Sequence, residues 1–344
     1  MNRFICLGQD CALDPWAGKF ANTRLLQITD PNMECYLFFH SSLGLRWFMP
    51  LTDLYESASP CIIGFMSRMV QAPIGQPPPF PDIIGTGFLV TADGVAATNR
   101  HVVEALWKLP TIPGTGERVG GAFIFMVSDD KLGGQVLNLK IRDVAALQGF
   151  SSENDWYGQN VPDVGFVQLE ITGLPFLELA TEDFSLKPGM EIATMGYPLG
   201  TQPLVSQGKV NQLGPFIRRG IVSSVYPFSS PQPHGFTIDI MQQGGSSGSP
   251  IFAGDSPRVV GMMWGSVQEP RMAQSASMSL TYTLNTNISI AEPSDIIKDA
   301  LTNYLSRRKP LEPSTPSLQQ LIEKYPRPEK TTGFKWSMNP IDLA

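Results

Sequence analysis

Residues 85–104, GTGFLVTADGVAATNRHVVE, decide how the rest of the chain is read. Two short apolar runs, Phe88-Leu89-Val90 and Val95–Thr98, flank Asp93-Gly94, a dipeptide that supplies the backbone conformation of a tight hairpin turn. The stretch therefore reads as strand, turn, strand. His101 follows at once, where a turn after the second strand can aim an imidazole into a cleft. A lone histidine there is more often structural than chemical, so its meaning depends on what else the chain supplies.

Outward from this hairpin the same rhythm continues. SPCIIGFMSRMV precedes it, and GAFIFMV, QVLNLKIRDV, VGFVQLEI, EIATMGYP, RRGIVSSV, FTIDIMQ, PIFAG and RVVGMMWGS follow. These runs are rich in β-branched or aromatic residues and are separated by Gly, Pro, Asp and Ser. Many short strands with turn signals between them predict an all-β barrel or sandwich. The 32 glycines and 30 prolines among 344 residues fit that turn-rich pattern. Helical spacing appears late, in Ser294–Arg307, where Ile296, Ile297, Ala300, Leu301, Tyr304 and Leu305 share one side. Ser294 is the expected cap, and Pro310 lies just past the end. There is no internal repeat. Three segments are expected: an N-terminal extension of short strands over 1–53, a main domain over 54–308, and a Pro-rich C-terminal tail over 309–344 with one short helix near 317–325.

A net charge of −6 argues against a basic nucleic-acid surface and gives no attraction to anionic membranes. The N-terminal apolar stretch Phe4–Leu7 is too short for a secretory signal, and Gln9 and Asp10 follow it. No run approaches the roughly 18 apolar residues of a membrane span. A cytoplasmic protein with no nucleic-acid or membrane partner is the expectation. Cys6, Cys11, Cys35 and Cys61 all lie in the first 61 residues. Cys35 and His40 suggest a zinc pair by spacing, but CYLFFH reads as a strand and sends them to opposite faces. Free, mostly buried thiols are expected, and no metal. No glycine-rich phosphate loop opens a helix, so no cofactor is expected either.

Residues 242–252, QQGGSSGSPIF, hold the candidate nucleophiles Ser246 and Ser247. A serine hydroxyl becomes a good nucleophile only when a base takes its proton and a third group orients that base. Of the three histidines, His40 sits within an apolar strand and His234 in a polar loop, which leaves His101 as the base. Asp163 opens the apolar strand VGFVQLE and is the leading acid, with Asp143 and Asp155 as weaker rivals.

Taken together, GTGFLVTADGVAATNRHVVE, PDVGFVQL and GGSSGSPIF, in that order, resemble the trypsin-like serine peptidases, most of all the HtrA/Do-type branch. Gly196–Gly200, Gly220–Ser223, Asp239 and Asn287–Ser294 resemble further segments of that branch, so the likeness spans about 57–306. It implies two packed six-stranded antiparallel β-barrels with a C-terminal helix. It implies a Ser-His-Asp triad of Ser247, His101 and Asp163, and it selects Ser247 over Ser246. It places the oxyanion hole at the Gly245 and Ser247 N–H groups, and substrate contacts at Met241, Met263, Trp264 and Gly265. The expected activity is that of a serine endopeptidase acting on protein or peptide substrates. The alternative is a binding or scaffold protein on this fold, or a peptidase awaiting an activating protein partner. No charged residue stands at the expected pocket base, which favours a small or medium apolar side chain over Arg or Lys. Two departures stand out. Sixty-one residues separate His101 from Asp163, with GFSSENDWYGQN as the apparent insertion. After residue 306 the remaining chain is too short for the PDZ domain common in the branch, so a stand-alone peptidase domain is expected.

Overall fold

Why the hairpin forms is visible in its turn. Val90 N–H bonds to the Val95 carbonyl at 2.8 Å, Thr91 Oγ1 donates to Asp93 Oδ1 at 2.6 Å, and Gly94 takes φ +83°. The computed structural model describes residues 24–30, 33–39, 49–67, 82–111, 114, 120–127, 133–150, 155–180, 184–200, 205–206, 209–210, 214–230, 232–254, 256–274, 279–325 and 335–338. Two compact units are present, Met1–Met49 and Pro50–Ala344. In the first, strands β1 (Arg24–Asp30) and β2 (Met33–Phe39) pair antiparallel, with Arg24 opposite Phe39. His40, Cys6 and Cys11 lie outside the described residues.

The second unit opens with helix α1 (Leu51–Ala58), which buries Leu54 and Ala58 one turn apart. There follow β3 (Ile62–Ser67), β4 (Ile83–Leu89), β5 (Val95–Thr98), helix α2 (Arg100–Trp107), β6 (Gly120–Val127), β7 (Gly133–Leu139), β8 (Ile141–Ala146) and β9 (Gly165–Leu169). Next come β10 (Glu191–Gly196), the two-residue strands β11 (Val205–Ser206) and β12 (Lys209–Val210), β13 (Phe216–Tyr226), β14 (Gly235–Ile238), β15 (Pro250–Ala253), β16 (Val259–Gln274) and β17 (Ser279–Pro293). Helices α3 (Ser294–Arg307) and α4 (Leu318–Lys324) and strand β18 (Lys335–Met338) complete the order.

Strands β10, β13, β14, β17, β16 and β15 close into a six-stranded barrel. Ile192, Val222, Phe236, Ile238, Ile251, Val260, Met263 and Ala291 fill it. The other layer is an eight-stranded sheet in the order β18-β7-β6-β3-β4-β5-β9-β8. Phe65, Phe88 and Phe123 are fully buried in this half. The all-β architecture with its C-terminal helix is thus present, with one closed barrel of the expected size. The other layer differs from the expected second six-stranded barrel: it is an eight-stranded sheet whose end strands, β18 and β8, do not pair with each other among the described residues, made of β3 to β9 plus β18, which joins the edge of β7 in parallel.

Several elements depart from the sequence expectation, among them helices α1 and α2, which come before the first helical spacing read from the sequence. Strand β16 runs past the barrel and forms with β17 a long exposed hairpin, Gln274 opposite Ser279, where no strand is expected between Ser266 and Asn287. Pro293, not Ser294, occupies the cap position of α3, and Ser294 is the first helical residue. QVLNLKIRDV is two strands, β7 and β8, broken at Lys140. The Pro-rich segment runs along the eight-stranded sheet. Thr172 bonds to it twice through its backbone, its N–H donating to the Pro316 carbonyl and its carbonyl accepting from the Leu318 N–H, and a capping box between Ser317 and Gln320 starts α4. Among the described residues no helix is long and apolar enough to cross a membrane.

Candidate active site

The candidate base, His101, is placed by the strand that precedes it. β5 ends at Thr98, Asn99 stands at the N-terminal cap position of α2 without a side-chain bond to the helix, and His101 lies in the helix's first turn with its side chain about half exposed. Asp163 precedes β9, which pairs antiparallel with β5, so the two loops emerge side by side. His101 Nδ1 lies 2.5 Å from Asp163 Oδ2, and the His101 main-chain N–H donates to Asp163 Oδ1 at 3.0 Å. Both carboxylate oxygens are thereby used, and the imidazole is held at two points. Asn99 Nδ2 donates to the Asp163 carbonyl at 2.9 Å, fixing the acid's own backbone. Asp163 is 4% exposed. The insertion before it does not displace it, and Asp143 and Asp155 are not the partners of His101.

Ser247 comes from the barrel half, in the turn between β14 and β15. Ser246 N–H bonds to the Gln243 carbonyl at 3.0 Å and Gly245 has φ +87°, which makes Gln243–Ser246 a type II turn. A Cβ on Gly245 would sit 2.3 Å from the Tyr197 carbonyl oxygen, so only glycine fits. Gly248 has φ +86°, and a Cβ there would lie 2.0 Å from the Thr86 carbonyl oxygen. Among the described residues neither the Gly245 nor the Ser247 N–H has an acceptor. Ser247 is half-buried, whereas Ser246 is fully buried and its Oγ accepts from Arg218 Nη2 at 3.3 Å. Ser247 Oγ accepts from Gln242 Nε2 at 3.1 Å, which leaves its own proton free to be donated.

The two halves meet through Thr86 on β4. Its N–H donates to the Ser247 carbonyl at 2.8 Å, its hydroxyl donates to the Gly245 carbonyl at 2.7 Å, and that hydroxyl accepts from the Tyr197 N–H at 3.0 Å. Arg218 on β13 grips the same loop from the other side, through the Met241 carbonyl and Ser246 Oγ. Asp239 takes the Ile221 N–H at 2.6 Å and so ties the strand before the loop to β13.

Of the expected substrate contacts, Met241 is 38% exposed, Trp264 is half-buried and Gly265 faces open space. Met263 is fully buried in the barrel core, so it offers the site backbone and not a side chain. Its N–H and carbonyl both bond to the nucleophile turn, at Ser249 and Gly248. Thr86, Arg218, Gln242 and Glu292 were not singled out from the sequence. Glu292 is 2% exposed, and its Oε1 accepts from the Asp163 N–H at 2.9 Å. Burial pushes its carboxyl up to about 7; the Asp163 N–H and Arg100 oppose that rise, and the Asp163 charge adds to it. His234, which its polar loop marks as a solvated side chain, instead packs against two aromatic rings. It stacks on Trp156 at 4.4 Å and on Tyr157 at 5.8 Å, and its Nδ1 accepts from the Tyr157 N–H. Cys61 is a buried free thiol, pushed up to about 12 by burial.

Residues 85–262, just over half of the sequence, match the family model described as trypsin-like peptidase domain. The chain belongs to this family. It is 28% identical over 141 residues to a protein named serine protease HhoB of Synechocystis sp., covering 40% of this chain and 26% of that one. It is 24% identical over 265 residues to a protein named DegP-like periplasmic serine endoprotease of Ectopseudomonas mendocina, covering 67% of this chain and 46% of that one. The chain thus spans less than half the length of these curated relatives. Among solved structures, the HtrA-type protease AlgW with a decapeptide aligns with a TM-score of 0.43 at 14% identity, over 75% of this chain and 68% of that one. Deg5 aligns with a TM-score of 0.44 at 16% identity, over 74% of this chain and 93% of that one.

Proposed function

We propose that the protein is a serine endopeptidase in which Ser247 is the nucleophile, His101 the general base and Asp163 the orienting acid. The observation that carries this reading is the two-point hold of Asp163 on His101, with Nδ1 at 2.5 Å and the main-chain N–H at 3.0 Å. That hold commits Nδ1 to the carboxylate and leaves Nε2 to exchange a proton with Ser247. Ser247 Oγ attacks a peptide carbonyl while His101 takes its proton. The oxyanion draws on the Gly245 and Ser247 N–H groups. His101 then protonates the leaving amine, and water releases the acyl group by the same steps in reverse. Substrate lies along the Trp264–Gly265 edge as an added strand. Without a charge at its base, the primary pocket beside Met241 favours a small or medium apolar side chain.

A second reading, in which a partner completes the site, draws on one observation: Ser247 Oγ is engaged by Gln242 Nε2. Hydrolysis of an unfolded protein such as reduced casein separates the two. The first reading expects cleavage by the wild type alone, lost in both Ser247→Ala and His101→Ala. A folded wild type that leaves casein intact favours the second.

A further inference from the structure

Behind the His101–Asp163 pair stands a second carboxylate that the triad chemistry does not use. Glu292 is the next-to-last residue of β17, one residue before the start of α3 at Ser294. It is 2% exposed, and its bond from the Asp163 N–H ties the barrel half to the acid of the opposite half across 129 positions of sequence. A glutamate is rarely buried to this degree without a cation in contact. The cation that acts on it, Arg100 of α2, sits with its Nε 3.9 Å from Asp163 Oδ1. Glu292 also lines a cavity of about 310 Å³ together with Tyr157, Tyr226, His234 and Trp264, so protons can reach it from outside. The groups that face it are therefore Asp163 from the loop before β9, Arg100 from α2, Tyr226 from β13, and Tyr157 and His234 from two loops.

We propose that Glu292 is a positioning residue of the triad: it holds the Asp163 backbone in place, and its ionisation adds a second negative charge behind His101 that favours proton transfer from Ser247. This rests on the peptidase reading. As Ser247 gives up its proton the imidazole becomes cationic, and a nearby anion stabilises that state. When Glu292 takes up a proton the backbone bond remains and the charge is lost. Activity then depends on two protonation events, one at the base and one at Glu292. Burial pushes the Glu292 carboxyl up to about 7, which puts its titration inside the pH range over which labelling can be followed.

The test is the second-order rate of fluorophosphonate labelling from pH 5 to 9 for the wild type and Glu292→Gln. Glutamine keeps the acceptor for the Asp163 N–H and removes only the charge. The expected result is a wild type faster than the variant by at least about ten-fold above pH 8: at an effective dielectric constant of about 20 a unit charge supplies that factor from about 12 Å away, and more from nearer. The two rates converge toward pH 5, and the acid limb of the wild type is steeper than one proton allows. A purely structural role gives a ratio that does not change with pH, and that result overturns the proposal. Should Glu292→Gln fail to fold, the slope of the wild-type limb decides: a one-proton limb refutes the inference. A wild type that labels at no pH refutes the peptidase reading itself, which is a different outcome from labelling with a constant ratio.

Discussion

Replacing Thr86 by valine keeps the shape of a fully buried side chain and removes one hydroxyl. That hydroxyl serves two groups at once, the Gly245 carbonyl at 2.7 Å and the Tyr197 N–H at 3.0 Å. Leaving a buried polar group without its partner costs about 1–3 kcal/mol. The Tyr197 N–H is enclosed and loses the full amount, while the half-buried Gly245 carbonyl regains some solvation, so the sum is about 3 kcal/mol. Thr86→Ser is the control. It keeps both bonds and loses one buried methyl, at about 1 kcal/mol. Urea unfolding at neutral pH should therefore rank wild type above Thr86→Ser and Thr86→Val last. Labelling by a fluorophosphonate should fall about ten-fold in the valine variant under folded conditions, because the Gly245 peptide loses its anchor. A valine variant as stable as the serine variant would refute the claim that this hydroxyl ties the nucleophile turn to the opposite half.

Other perturbations follow from the same contacts. Gly248→Ala forces a Cβ to 2.0 Å from the Thr86 carbonyl at φ +86°; it should destabilise by about 3 kcal/mol or more in urea unfolding. Arg308 binds Asp93 and also donates to Gln168 Oε1 at 2.5 Å. Burial pushes the Asp93 carboxyl up, but the bonds from Arg308 and Thr91 and the Arg308 charge outweigh it and leave it below the ordinary 3.8. A lowered carboxyl stabilises above its unfolded value and loses that contribution as pH falls through the folded one. Arg308→Gln should thus cost about 1 kcal/mol at neutral pH, discounted for the exposed Asp93, and the gap to wild type should narrow below about pH 4. Glu292 has the opposite sign: raised from 4.5 to about 7, it makes the wild type lose stability as pH rises through that window. Glu292→Gln should gain on the wild type by about 3 kcal/mol between pH 4.5 and 7 in urea titrations, even as it labels more slowly.

What was legible in the sequence had local causes. Asp93-Gly94 dictates a turn whatever surrounds it, so the β4–β5 hairpin and the position of His101 could be read directly. Gly245 and Gly248 each hold a conformation that rejects a side chain, which is why their spacing around Ser247 marks the nucleophile turn. The β16–β17 arm escaped because Gln268, Glu269, Pro270 and Arg271 are solvated on both faces, and exposed strands leave no period-two apolar trace. Helix α1 is two turns long with two buried residues, too little for a periodic signal. Thr86 and Glu292 act on partners 159 and 129 positions away, and nothing local in GTG or AEP marks those contacts. The stack on His234 depends on two loops meeting, which spacing cannot forecast.

The central claim is that Ser247, and not its neighbour Ser246, is an activated nucleophile. Its most direct measurement is fluorophosphonate labelling of wild type, Ser247→Ala and Ser246→Ala, with the adduct located by peptide mass. The account predicts one adduct on Ser247 in the wild type and in Ser246→Ala, and none in Ser247→Ala. An adduct on Ser246, or a folded wild type that takes no label, would contradict it.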